Sequence, residues 1–140
     1  MKKEVSKPNT FLIDTNIIVD FLIIRNKISH EEAKKVFEDI KRGSFQVILL
    51  HWVLMEVIFV LKKYYHLEIK QILESCITLL SEKNIYHPQK KLLIESLKLS
   101  YKHNTALVDS LLINYSKKHS LPVLTFDKKL LKLSQWSSKK

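Results

Sequence analysis

Short apolar runs alternate along this chain with longer segments in which apolar residues recur every three or four positions. Four runs, FLID (11–14), FQVILL (45–50), NIYH (84–87) and PVLTF (122–126), are bounded by Asn, Ser, Gly or Pro. Their shortness and their aliphatic and aromatic content predict buried parallel strands, which read as continuous apolar stretches rather than as alternations. The intervening segments are long enough for crossover helices. Residues 29–42 place Ser29 and Glu32 at capping-box spacing and close on Lys41, Arg42 and Gly43, which predicts a well-punctuated helix. Residues 52–65, 67–81, 89–102 and 105–119 carry helical periodicity, and 127–133 predicts one short terminal helix. The expected fold class is α/β: a short central parallel sheet flanked by helices, with a helical excursion over 67–102 interrupted by one strand.

The polar, lysine-rich residues 1–9 predict a flexible N-terminal tail, and 10–140 a single domain, a size at which one core is sufficient without staples. The apolar run 11–24 contains Asp14, Thr15, Asn16 and Asp20, and such polar groups argue against a membrane span or signal segment. A lone glycine, Gly43, excludes dinucleotide fingerprints and Walker-type loops, both of which need several. A lone cysteine, Cys76, excludes an internal disulfide and a cysteine-based zinc site; its apolar helical setting predicts a core residue, compatible with a reducing cytoplasm. Charge changes the picture more. The net charge is +10, from 24 Lys and Arg against 14 Asp and Glu. Arg25 and Arg42 are the arginines, so the surface is lysine-dominated and suits a polyanionic partner.

Candidate chemistry lies in acids embedded in apolar sequence, where an unpartnered carboxylate is costly. Asp14 ends the first strand, Glu56 is the one polar residue of WVLMEVIFVL, Asp109 lies in ALVDSLLI near a helix front, and Asp127 follows PVLTF. Each has an ordinary reading: N-caps for Asp14 and Asp127, a dipole-favoured first-turn acid for Asp109, a surface glutamate on a helix edge or a partner for a lysine such as Lys63 for Glu56. Jointly, three follow a strand or open a helix and Glu56 lies just inside the helix after the second strand. In a parallel sheet those positions share the carboxyl edge, the usual ligand crevice. Four converging carboxylates require a divalent cation, and oxygen donors select Mg²⁺ or Mn²⁺. The histidines at 30, 51, 66, 87, 103 and 119 lack zinc-ligand spacing. An acidic metal cluster on a basic chain points to phosphodiester hydrolysis, with lysines holding the nucleic acid backbone.

The ordered set FLIDTN, MEVIFVL, LVDSLL and PVLTFD resembles the PIN-domain nucleases, and among them the small VapC-like toxins of toxin–antitoxin pairs, over roughly 11–133. The resemblance implies a PIN fold, Mg²⁺- or Mn²⁺-dependent cleavage of single-stranded RNA, a small antitoxin protein partner and a homodimer. It implies metal-binding roles for Asp14, Glu56, Asp109 and Asp127, with Thr125 and Asn16 as polar companions. Ser110 stands where the family usually has alanine, and KHNTALV, before the third motif, lacks the additional acid some members carry. Lys128, Lys129 and Arg25 are candidate RNA contacts. Two rivals stand beside this reading. One is a non-cleaving module of the same fold that binds RNA or protein. The other is an aspartyl-phosphate enzyme, against which Asn16 occupies the position where D-x-D chemistry needs an acid.

Overall fold

The computed structural model describes residues 9–138, with side-chain surroundings as far as Ser134. The expected tail over 1–9 lies outside the described residues except for Asn9, which opens the first strand. Contacts divide the chain into two compact units, Met1–Pro88 and Gln89–Lys140.

The N-terminal unit holds β1 (Asn9–Leu12), α1 (Thr15–Leu22), α2 (Lys27–Arg42), β2 (Phe45–Ile48), α3 (His51–Lys63), α4 (Ile69–Leu80) and β3 (Ile85–Tyr86). Its three strands pair in parallel in the order β1-β2-β3, with Leu12 opposite Ile48 and Val47 opposite Ile85. Backbone bonds from Ile13 N to Ile48 O (3.3 Å) and from Leu49 N to Tyr86 O (2.8 Å) carry the ladder just past the strand ends. Helical connections are what parallel pairing demands, because consecutive parallel strands cannot be joined by a tight turn. Val47, Leu49 and Ile85 from the sheet are buried with Ile18 and Val19 of α1, Ile40 of α2, and Leu54, Val57 and Leu61 of α3. Phe21 stacks on Phe37 at 4.0 Å between ring centroids, joining α1 to α2. Cys76 on α4 is buried as expected, and that burial pushes its thiol up to about 12.

Two expectations for this unit are corrected. Helix α2 starts two residues before Ser29, because Asn26 is the cap: its Oδ1 accepts from the amides of Ile28 (2.9 Å) and Ser29 (3.1 Å). The far end of α2 closes as expected on Gly43, whose φ of +80° is the left-handed geometry that glycine adopts without Cβ strain. There the Asn84 side chain donates to Ile40 O at 2.8 Å, fastening the helix end to the approach to β3. Strand β1 is exposed rather than buried, as an edge strand of this sheet, with Phe11 51% and Leu12 67% accessible.

The C-terminal unit holds α5 (Lys90–His103), α6 (Leu107–His119) and α7 (Lys128–Ser138). Leu92, Leu93 and Leu97 of α5, Ile113 of α6 and Leu130 of α7 are buried. Small polar groups satisfy one another at the α5–α6 seam: Ser100 Oγ lies 2.7 Å from Ser110 Oγ, and Asn114 donates to Ser96 Oγ at 3.0 Å. PVLTF (122–126), expected as a strand, forms no ladder among the described residues, and Leu124 and Phe126 are fully exposed. Its composition gives strand propensity, but propensity without a hydrogen-bonding neighbour leaves an extended loop. Thr105 is not the cap of α6, which starts after Ala106 without a side-chain cap. No described helix is long and apolar enough to cross a membrane.

His87 follows β3 and is buried; burial, and secondly the His51 ring 5.8 Å away, hold its imidazole below the ordinary 6.5. A depressed histidine means that the unfolded chain binds the proton first, so this contribution is complete above pH 6.5 and declines as the pH falls from there toward the folded value. Thermal melts between pH 7.5 and 5 are expected to show that decline, and His87→Leu to reduce its slope. An unchanged slope would exclude His87 as its source.

Candidate metal centre

Parallel pairing sets the geometry in the N-terminal unit. Leu12 and Ile48 are partners, so Asp14 and Leu50, each two residues further on, leave the sheet at the same edge. Asp14 caps α1 with extended backbone angles (φ −89°, ψ 152°), and its Oδ1 accepts from the Thr15 amide at 2.8 Å. Leu50 precedes α3, so Glu56 stands five residues beyond the first residue of that helix, about 7.5 Å along its axis. Both acids are exposed. Glu56, though embedded in apolar sequence, is therefore not enclosed by it. Leu54, Val57 and Leu61 form the buried stripe of α3, and Glu56 shares the open face with Trp52, Phe59 and Lys63.

Asn16, in the first turn of α1, is held by an arginine. Arg25 donates through Nη2 to the Asn16 carbonyl (3.5 Å) and Oδ1 (3.4 Å), and through Nε to Asp20 Oδ1 at 2.9 Å. The Asp20 hydrogen bond, then one with Tyr65, raises the Arg25 guanidinium above its ordinary value. His30 Nδ1 lies 2.7 Å from the Asp20 carbonyl, which can only accept, so Nδ1 carries the proton. Asp20 and Tyr65 are thus parts of the site's surroundings that sequence reasoning missed. The readable signal was Asn16 and Asp20 four apart on one helix face, followed by Arg25. Arg25, a candidate RNA contact, is already engaged with Asp20.

In the C-terminal unit, Asp109 and Asp127 come together. Both line a cavity of about 160 Å³, along with Asn104, Thr105 and Lys129. Asp109 is the third residue of α6, partly buried, where the helix dipole favours an acid. Asp127 caps α7: Oδ1 accepts from Lys129 N (2.9 Å) and Leu130 N (3.0 Å). Thr125 Oγ1 accepts from the Asp127 amide at 3.0 Å, so the threonine fixes the acid's backbone. Lys128 and Lys129 are exposed at the start of α7, and Lys129 also borders the cavity. Ser110 is fully buried and spends its hydroxyl on Ser100.

The donor chemistry fits a hard divalent ion. Asp127 holds its cap bonds on one oxygen and keeps lone pairs on the other, and Asp109 presents a carboxylate to the same cavity. Within neither unit, among the described residues, do three His, Cys, Asp or Glu side chains gather. Residues 11–135 match the profile of the PIN domain, nearly the whole chain. No characterised protein matches the sequence at a significant level.

Capping and charge are separable at Asp127. Asp127→Ala is expected to lower unfolding free energy by about 1 kcal/mol through the lost cap, whereas Asp127→Asn keeps an acceptor and costs only a few tenths. Exposed Glu56→Gln is expected to stay within about 0.5 kcal/mol of the parent. Urea denaturation checks all three; a large loss in Glu56→Gln would mean a packing role for Glu56.

Proposed function

Because the chain belongs to the PIN-domain family, whose members are generally nucleases using divalent metal ions, we propose that it is an Mg²⁺- or Mn²⁺-dependent endoribonuclease. Asp14, Glu56, Asp109 and Asp127 are its proposed metal ligands. The observation that carries this reading is the cavity shared by Asp109 and Asp127, two acids eighteen residues apart in sequence that have no ion-pair need for each other. The common sheet edge of Asp14 and α3 supports it from the other unit.

When bound, a divalent ion supplies Lewis-acid activation of water and of the scissile phosphate. The chain's own groups hold the rest. Thr15 N orients the Asp14 carboxylate, and the amides of Lys129 and Leu130 orient Asp127. Arg25 fixes Asn16, and Thr125 fixes the turn into α7. Lys128 and Lys129 offer positive charge to the RNA backbone, as the net charge of +10 does over the whole surface. No side chain has to act as a nucleophile, and hydrolysis by water leaves 5′-phosphate and 3′-hydroxyl ends. In the proposed setting the protein is a cytoplasmic toxin, a homodimer restrained by a small antitoxin protein.

Single-stranded RNA incubated with the purified chain is expected to be cut in Mg²⁺ or Mn²⁺ and spared in EDTA. Asp14→Asn and Glu56→Gln are each expected to lose about a hundredfold or more in rate, the size of effect seen when one group that stabilises a transition state is removed. Cleavage that survives EDTA or Asp14→Asn would overturn the assignment. RNA bound but uncut in every metal would favour the non-cleaving module.

A further inference from the structure

The outward face of α3 carries an arrangement that folding does not need. Trp52, Glu56, Phe59 and Lys63 fall within an arc of about 60° of the helix, given 100° per residue. All four are exposed, with Trp52 69% and Phe59 53% accessible. Two large rings in water on a helix whose opposite stripe is fully buried add nothing to the core. Cations accompany them. Lys63 Nζ sits 5.2 Å from the Phe59 ring centroid and 5.8 Å from that of exposed Tyr64, and Lys62 is its exposed neighbour. Phe59 and Tyr64 meet edge to face at 6.2 Å.

We propose that this face is a base-stacking platform for single-stranded RNA, in which Trp52 and Phe59 receive bases on either side of Glu56 and Lys63 takes a backbone phosphate. The proposal rests on the nuclease reading only in making Glu56 a metal ligand, which would place the stacked strand beside the scissile bond. Trp52 and Phe59 are about 10.5 Å apart along the helix axis, so each ring serves a different base. Aromatic faces accept any base and lysines any phosphate, so the platform gives affinity and strand position with little sequence preference. The interleaved lysines favour RNA over a protein occupant, because lysine is depleted from the cores of protein–protein interfaces where aromatics are enriched. A duplex fits poorly, since its bases are already stacked on one another.

The chain has two tryptophans, Trp52 and Trp136, so Trp136→Phe makes Trp52 the sole indole reporter. In EDTA, where the proposed hydrolysis is off, titration of that full-length protein with a single-stranded oligouridylate is expected to quench its emission, and a duplex of equal length to quench it less. Trp52→Ala and Phe59→Ala are each expected to weaken binding about tenfold, followed by a labelled oligonucleotide. Trp52→Tyr and Phe59→Tyr are expected to restore it. Lys63→Ala is expected to reduce the salt dependence of binding by about one phosphate contact. Thermal melts of the variants separate these effects from unfolding. Binding without quenching, no binding, equal binding of duplex, or undiminished binding by both alanine variants would overturn the platform. So would alanine variants that alter only the oligomeric mass, which would mark the face as a contact between copies of the chain. Cleavage in Mg²⁺ with no quenching defeats the platform and leaves the nuclease reading standing. Quenching with no cleavage in any metal does the reverse.

Discussion

Parallel pairing of β1 with β2 forces both strands to release the chain at one edge of the sheet. Antiparallel pairing of the same residues would send Asp14 and the start of α3 to opposite ends. The register Leu12 with Ile48 then fixes how far each segment travels before it turns. A slip of one residue would exchange the buried and exposed faces of β2, and burial of Val47 and Leu49 is what prevents it. Placement of an acid at that edge therefore depends on apolar contacts several residues away from it.

Except for Glu56, the acids are tolerated because they have structural work independent of any ion. Asp14 and Asp127 accept amides at helix starts, Asp109 sits in a first turn, and Asp20 pairs with Arg25. Glu56 has no such task, but its exposure leaves its charge solvated. Each acid is thus accommodated in the fold without a cation. This separates the protein from small metal-stapled domains, in which binding and folding are one event.

Much of the fold was legible because apolar spacing is a direct record of which face is buried. Helices α2 to α6 appeared within two residues of their expected bounds, α7 ran five residues past its expected end, α1 had no expected bounds, and the parallel character of the sheet followed from continuous apolar runs. Misreadings occurred where local composition competes with something non-local. PVLTF has the residues of a strand but no ladder partner among those described. Ser29 and Glu32 mimic a capping box, but Asn26 takes the amides because it stands in extended backbone just ahead of them, while Ser29 is already inside the helix. Asp14, Asp109 and Asp127 stood out in sequence because acids are rare beside such runs. Trp52 and Phe59 did not, since an exposed ring and a buried ring are the same letter until a helix phase is fixed. Arg25 looked like a free cation because it lies in the turn after α1, outside the helical spacing that would have paired it with Asp20.

Cys76 lends the chain an indifference to redox conditions. Its sulfur is sealed in α4 with the thiol held near 12, so the reactive thiolate is scarce at any pH where the protein would work. Oxidants and alkylating reagents reach it only through unfolding, and no second sulfur of its kind exists in the chain to exchange with. Neither peroxide stress nor a change of thiol buffer has a chemical handle on the folded protein through cysteine.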